Sequence, residues 1–363
     1  MKEKDLYSVR TDLAVEAQEM DVRDDPSSSD SDGVKVHENQ KDDIKITYVT
    51  VDETGAERIG KKAGHYITLD SQAIRKQDTQ LQANLAKVLS GQLRKLLQDV
   101  GVTEEQSGLV VGLGNHHITP DSLGPLVTDK VLVTSHLFRL HPETVSEGYR
   151  PVSAVTPGVM GTTGVETSDM VHGIIKEVNP DFVIVIDALA SRSIDRINAT
   201  IQLSDTGIHP GSGIGNKRKE ISQETYGIPV ISIGVPTVVD AVTITSDTVD
   251  YVLKHFGREW REKDAPSNAL SPAMNPFERK ELTEEDLPNE EQSQAVLGMF
   301  GQLSGAEKKQ LIKEVLTPLG HNLMVTPKEV DGFMKDMSHV IATGINGALH
   351  PGIEDGEAQS YSR

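Results

Sequence analysis

The chain has 363 residues and a formal net charge of −19, and it contains no cysteine. The negative charge argues against direct, stable binding to nucleic acid, because phosphates need a basic surface. Without cysteine the chain cannot form disulfides, thiolate metal sites or a thiol nucleophile, which fits an intracellular protein. No apolar run is long enough to span a membrane, and the N-terminus has no signal-peptide core. We therefore expect a cytoplasmic protein that makes no use of a membrane.

The N-terminal part of the chain is polar, apart from one short apolar patch at residues 13–17. Residues 21–43 are acidic and rich in serine, which predicts an exposed loop. Residues 44–51 alternate apolar and polar side chains, as a half-exposed strand does. Residues 69–100 carry a stripe of large apolar side chains at helical spacing, so the stretch is predicted to be one helix.

From residue 109 onwards, strands and helices are predicted to alternate. Buried strands are expected over 109–115, 181–189, 200–203 and 230–235, and helices at Thr119-Pro120 and over 168–178 and 239–256. Such alternation is typical of an α/β fold. We predict a single large α/β domain over 13–363, in which helices flank a mostly parallel central sheet. A charged surface insertion is expected at about 257–291, and a helical C-terminal part at about 292–363.

Two aspartates follow buried strands and are the first candidates for chemistry. Asp187 ends the apolar run 183–186, and Asp121 follows the strand at 109–115, in the first turn of the helix predicted there. The carboxyl ends of strands in an open α/β sheet are where ligands and reactions collect. A helix N-terminus favours an ionised Asp121, whereas burial favours a protonated Asp187. Such a pair can act as general base and general acid, although either aspartate could take either role.

Other kinds of site have weaker support. Glycine-rich stretches at 112–115 and 211–215 lack the spacing of a dinucleotide site and the lysine of a P-loop. Three histidines could be metal ligands beside the aspartates, but no metal-binding motif connects them: His116, His117 and His209. Ser212, near His209, lacks the motif of a serine hydrolase. These patterns alone give only weak support to a metal or cofactor site.

Longer stretches of the sequence resemble known peptidases. GLGN at 112–115, PDSLG at 120–124 and VIVIDA at 183–188 are similar to the paired motifs of hydrogenase-maturation endopeptidases. A closer resemblance, to the germination proteases of endospore-forming bacteria, is carried by SVRTDLAVEA (8–17), SAVTPGVMGTTG (153–164) and ALASRSIDRINATIQLSDTGIHPGSGIGN (188–216). This second resemblance extends over essentially the whole chain.

The resemblance to germination proteases implies an atypical aspartic endopeptidase that begins to degrade small acid-soluble spore proteins during germination. It implies a phosphorylase/hydrolase-like α/β fold and a homotetramer in the spore core. The two essential aspartates of the family correspond to Asp121 and Asp187. Unlike the nickel-guided maturation endopeptidases, this family implies no metal.

The resemblance also implies synthesis as an inactive zymogen that processes itself. Family substrates are cut after a glutamate that precedes Phe or Ile and then Ala, and TDLA at 11–14 is similar to that site. The processing cut is therefore expected between Asp12 and Leu13, with residues 1–12 as the propeptide.

Two other functions stay open at this point. A metal- or phosphate-dependent hydrolase or phosphorylase on the same fold would use the glycine-rich loops and His209. A binding protein would use the two aspartates only as helix caps, and an Asp187→Asn variant would keep its function. The sequence does not define the roles of His116, His117 and Arg192.

Overall fold

Residues 11–24, 33–209, 219–261, 282–316 and 323–353 are described by the computed structural model. The chain divides into two units, with boundaries after Val239 and after Val325. The segment Asp240–Val325 belongs to the smaller unit. Described residues on either side of that segment belong to the larger unit, which contains all the candidate site residues that the structure describes.

In the described part of the larger unit, a central sheet is formed by β1 (Val34–Lys41), β2 (Ile44–Val51), β3 (Gly64–Asp70), β4 (Gly108–Gly112), β5 (Val152–Val155), β6 (Phe182–Ser191), β7 (Thr200–Ser204) and β8 (Val230–Asp240). The strand order is β1-β2-β3-β7-β8-β6-β4-β5. Strands β8, β6, β4 and β5 pair in parallel, whereas every pairing from β1 through β7 to β8 is antiparallel. The parallel half places the carboxyl ends of four strands at one edge, where a site is expected.

The helices of the described residues are α1 (Ala14–Asp24), α2 (Glu53–Ile59), α3 (Thr79–Asp99), α4 (Leu123–Thr128), α5 (Ser135–Leu140), α6 (Met160–Thr163), α7 (Thr167–Val178), α8 (Gln223–Tyr226), α9 (Ala241–Arg261), α10 (Glu290–Leu297), α11 (Gly305–Leu316) and α12 (Val330–Leu349). In this part of the chain no helix is both long and apolar enough to cross a membrane.

The smaller unit contains α9, α10, α11 and a short strand, β9 (Met324–Val325). Its two longer helices, α9 and α11, contact each other. A capping box begins α10, in which Asn289 and Gln292 bond each other's backbone N–H. Ser304 and Glu307 make the same exchange at the start of α11. Local sequence therefore fixes where both helices begin.

The apolar core of the larger unit covers both faces of its sheet. Successive side chains of a strand point to opposite faces, so Ile184 and Ile186 of β6 face α3 and α12, while Val183 and Val185 pack with Val171 of α7. The predicted apolar stripe of α3 is buried: Leu81, Leu85, Val88, Leu89, Leu93 and Leu96. The centre of β6 is thus covered on both sides, as its unbroken apolar run predicts.

The predicted α/β class is confirmed, with helices around a central sheet and a helical C-terminal part. Parallel pairing is confined to one half of the sheet, and β2 has the predicted bounds. The single helix predicted over 69–100 is wrong, because residues 64–70 alternate as strand β3 and Asp78 caps α3. The loop predicted over 21–43 is wrong in part, because α1 continues to Asp24 and 34–41 form the edge strand β1, whose polar side chains stay exposed.

Of the insertion predicted at 257–291, the first residues continue α9 to Arg261. Residues 262–281 lie outside the described part of the chain, and a short 3₁₀ turn covers Glu284–Asp286. The predicted domain boundaries stay predictions.

His350, which follows α12, makes the stability of the larger unit depend on pH. Its ring is fully buried, with Nδ1 accepting from the Arg150 N–H at 3.4 Å and Nε2 3.3 Å from the Leu132 carbonyl. Burial, with the charge of Arg150, lowers the pKa of His350 from 6.5 to about 4. The unfolded chain therefore binds this proton at a higher pH than the folded chain. The stabilisation is complete above pH 6.5 and is lost as the pH falls toward 4.

Between pH 7 and pH 5, His350 takes up a proton in the unfolded chain but stays mostly neutral in the folded chain. We expect this difference alone to lower the free energy of unfolding by about 2 kcal/mol. Urea unfolding of the parent and of a His350→Gln variant at the two pH values measures this, because glutamine cannot titrate. His136 is exposed, so His136→Gln serves as the control and should keep the pH dependence of the parent. An undiminished pH dependence in His350→Gln would contradict the assignment.

Candidate active site

Asp121 lies in a 3₁₀ turn, Thr119–Asp121, between β4 and α4. Its Oδ2 accepts a hydrogen bond from the Asn115 N–H at 2.9 Å, and its own carbonyl accepts from the same N–H at 3.0 Å. Gly114 permits this approach: its φ is +112°, and a Cβ there would lie 2.0 Å from the Asp121 carbonyl oxygen. The glycines after β4 therefore let the chain wrap around Asp121.

The turn that carries Asp121 is also fixed to the sheet. Thr237 on β8 donates its hydroxyl to the Pro120 carbonyl at 2.6 Å. The helix predicted to open at Thr119 is wrong in detail, because α4 begins only at Leu123 and the 3₁₀ turn precedes it. Asp121 therefore lies just ahead of α4.

Asp187 is 7% exposed and lies within β6, where the neighbouring strand β4 has ended. The sequence predicted that it follows the strand, but β6 continues for four more residues beside β8. The Oδ1 of Asp187 accepts a hydrogen bond from the Ala188 N–H at 2.9 Å. Asp187 is paired with Gly234 of the neighbouring strand β8. The Leu189 side chain fills the space above Gly234, since a Cβ on that glycine would lie 2.4 Å from Leu189 Cδ1. Asp187 is therefore held in a packed environment at the edge of the sheet.

The register of β4 and β6 relates the two aspartates. Gly112 is opposite Ile186, and the Leu113 N–H donates to the Ile186 carbonyl at 2.8 Å. Asp187 is the next residue on β6, and the turn containing Asp121 contacts β6. The structure thus places both aspartates at the same edge of the sheet, as the sequence argument expects. Their catalytic role stays a prediction.

The predicted processing site lies against the same strand. Leu13 is 0% exposed and belongs to an apolar cluster with Leu189 and Tyr66. The Asp12 N–H donates to the Ala190 carbonyl at 3.0 Å, and the Ala190 N–H donates to Asp12 Oδ2 at 2.9 Å. The Asp12–Leu13 bond is thus next to the end of β6, and its Leu13 side is buried.

Glu16 is a buried residue that the sequence argument did not single out. Its carboxylate is 2% exposed and accepts from the backbone N–H groups of Arg192 (2.7 Å) and Ser193 (2.9 Å) and from the Thr11 hydroxyl. Its position between Val15 and Ala17, inside the only N-terminal apolar patch, is the signal that could have identified it. Glu16 ties α1 to the loop after β6.

Two cations border this N-terminal segment. Lys61 donates its ammonium to the Thr11 carbonyl at 2.8 Å, and burial lowers the pKa of Lys61 although Asp12 and Glu16 oppose the shift. Burial acts in the same direction on Arg196, but Asp70, Glu19 and Glu16 outweigh it and raise its pKa. Arg196 therefore stays charged and helps to hold α1 on the sheet.

The three candidate histidines are exposed. His116 and His117 pack edge to face against each other, and His209 lies 3.6 Å from Glu220. Arg192 binds Glu16 through its backbone N–H. The glycine-rich loop at 211–215 and Ser212 lie outside the described residues. Within the described ranges, no three His, Asp or Glu side chains are grouped so that they could hold a metal ion.

Two carboxylates at one sheet edge, each oriented by a backbone N–H, can supply a general base and a general acid. Asp187 is buried and Asp121 is partly exposed, so their environments differ. In pairs of catalytic carboxylates, a difference in environment separates the general base from the general acid. The arrangement is therefore suited to hydrolysis by two aspartates.

Comparison with known proteins gives the family. The profile of the germination protease family matches residues 14–362. A germination protease of Oceanobacillus iheyensis is 60% identical over 367 residues, covering 100% of both chains. Those of Halalkalibacterium halodurans and Bacillus cereus are 58% and 59% identical, each covering 98% of this chain and 97% of its own. The chain belongs to the germination protease family and is thus a peptidase.

Proposed function

We propose that the chain is an endopeptidase that initiates degradation of small acid-soluble spore proteins during spore germination. It is made as a zymogen and processes itself between Asp12 and Leu13. The observation that carries the proposal is the placement of Asp121 and Asp187 at one sheet edge, with Leu13 packed in the same cluster as Leu189. Side chains two apart on a strand share a face, so the predicted cleavage site and Asp187 lie on the same face of β6.

In the proposed reaction one aspartate takes a proton from water, which attacks the peptide carbonyl, and the other donates a proton to the leaving nitrogen. The hydrogen bonds from Asn115 and Ala188 hold the two carboxylates in place for this step. Either aspartate can fill either role. The reaction uses no cofactor and no metal.

The charge of the chain supports the proposed substrate and location. An enzyme with a net charge of −19 does not compete for the DNA to which spore proteins bind, and it can act on the proteins alone in the spore core. Assembly as a homotetramer is part of the proposal and rests on the resemblance described above. Light scattering of the purified chain measures it, with a mass of four times 39.5 kDa expected.

The test is to incubate the full-length chain with a purified small acid-soluble spore protein and to follow both by intact mass. We expect loss of residues 1–12 from the chain and cuts in the substrate after an acidic residue. Cleavage that requires added phosphate or a metal ion would favour the alternative hydrolase or phosphorylase. An intact substrate beside a processed chain would contradict the proposed substrate class.

A further inference from the structure

The segment Thr11–Asp12 is bound through both its main chain and its acidic side chain. The Asp12 N–H donates to the Ala190 carbonyl at 3.0 Å, and the Ala190 N–H donates to the Asp12 carboxylate at 2.9 Å. The Gln202 amide donates to the Asp12 carbonyl at 3.4 Å, and the Lys61 ammonium donates to the Thr11 carbonyl at 2.8 Å. Lys61 also attracts the Asp12 carboxylate. These are the contacts by which a strand edge and a cation recognise an extended acidic peptide.

The position of this segment relates it to the candidate dyad. Ala190 follows Asp187 by three residues on β6, about 10 Å along the strand. Leu13 packs in the cluster of Leu189, one residue closer to Asp187. A peptide bound like Thr11–Leu13 therefore has its acidic residue at Ala190 and its next residue on the side of Asp187.

Loss of residues 1–12 would remove the partners of these groups. The Ala190 N–H and carbonyl, the Gln202 amide and the Lys61 ammonium would each lose a contact, and buried polar groups without a partner are costly. A second peptide with an acidic residue at the same position would restore all of them. The propeptide and a substrate would thus compete for one place.

We propose that Ala190, Gln202 and Lys61 form the subsite for the acidic residue that precedes the scissile bond, which Asp12 occupies in the full-length chain. This rests on the proposed peptidase function. The Ala190 carbonyl, the Gln202 amide and the Lys61 ammonium bind the main chain. The Ala190 N–H binds the carboxylate, and the charge of Lys61 favours an acidic side chain there. Lys61 is a specificity-determining residue here and takes no part in the proton transfers.

The test is a competition between two peptides in one reaction. One copies residues 8–17, SVRTDLAVEA, and the other carries asparagine in place of Asp12. Full-length parent, Lys61→Met, Lys61→Gln and Lys62→Met are each incubated with the mixture. Mass spectrometry follows cleavage between the fifth and sixth residues of each peptide, which correspond to positions 12 and 13 of the chain. The ratio of the two rates does not depend on how much of each protein has been processed. Lys62 is the matched control, because it pairs with Glu220 and Glu224 and not with Thr11.

We expect the parent and Lys62→Met to cut the aspartate peptide at least about tenfold faster than the asparagine peptide, since the attraction between a buried cation and a nearby carboxylate is worth that much or more. In Lys61→Met the preference should fall to within about threefold, and Lys61→Gln supplies the same comparison if the methionine variant does not fold. A preference unchanged in the neutral variants, or absent from the parent, would overturn the subsite while leaving the peptidase function standing. A parent that cuts neither peptide would overturn both.

Discussion

An Asp187→Asn variant is expected to cleave peptide bonds at least about 10³-fold more slowly than the parent. Asparagine has nearly the same shape and keeps an oxygen for the Ala188 N–H, but it cannot take or give the proton. Asp187 is only 7% exposed, and burial disfavours a charged side chain. Replacing it by a neutral side chain of the same size should therefore not unfold the protein. The rate of loss of residues 1–12 and the rate of substrate cleavage should fall together.

The measurement is a time course of intact mass for the full-length parent, Asp187→Asn, Asp121→Asn and the double variant, with circular dichroism to verify the fold. Asp121→Asn should be impaired to a similar degree, and the double variant little further, because the two groups act as a unit. Asp195, an exposed aspartate shortly after β6, is the control, and Asp195→Asn should process at the rate of the parent. If Asp187→Asn is processed as fast as the parent, the two-aspartate mechanism is wrong.

A Gly124→Ala variant is expected to lose about 3 kcal/mol of its free energy of unfolding and most of its activity. Gly124 is in the first turn of α4, and a Cβ there would lie 2.2 Å from the Leu113 carbonyl oxygen and 2.5 Å from its nitrogen. Both atoms are backbone at the end of β4, so they cannot rotate away. Relief requires α4 to move, and α4 directly follows the turn that holds Asp121.

Denaturant unfolding and peptide cleavage measure the two effects. Gly91 is the matched control: it lies inside α3, and a Cβ there would meet nothing within 4 Å. Gly91→Ala should be more stable than the parent by about 0.5–1 kcal/mol, because alanine restricts the unfolded chain and favours a helix. A Gly124→Ala variant with the stability of the parent would show that α4 and β4 are less closely packed than described.

The parts of the fold that follow from local patterns could be predicted from the sequence. The alternation of residues 44–51 and the apolar run before Asp187 indicate β2 and β6, because burial on one face or on both is recorded in the side chains. The sequence also indicates the two aspartates, since each comes after a run of apolar residues. Local sequence does not determine the order and direction of the strands in the sheet. The antiparallel half of the sheet was therefore not predicted.

The contacts around the predicted processing site could not be predicted in the same way. Asp12 and Ala190 are 178 residues apart in sequence, and Ala14 and Gln202 are 188 apart. From local sequence Glu16 is one polar residue in a short helix, because its partner in the loop after β6 is 176 residues away. Such pairings depend on the packing of α1 over the finished sheet, and no local propensity encodes them.

The burial of Leu13 has a practical consequence for protein engineering. In a chain that begins at this residue, the first side chain is part of the interior, and Glu16 anchors the helix that follows it to the loop after β6. An affinity tag fused directly to Leu13 would run through the place that Asp12 occupies against Ala190 in the full-length chain, and it would block the proposed subsite. Recombinant forms that start there need a native first residue, exposed by a removable leader, and purification handles belong elsewhere on the chain.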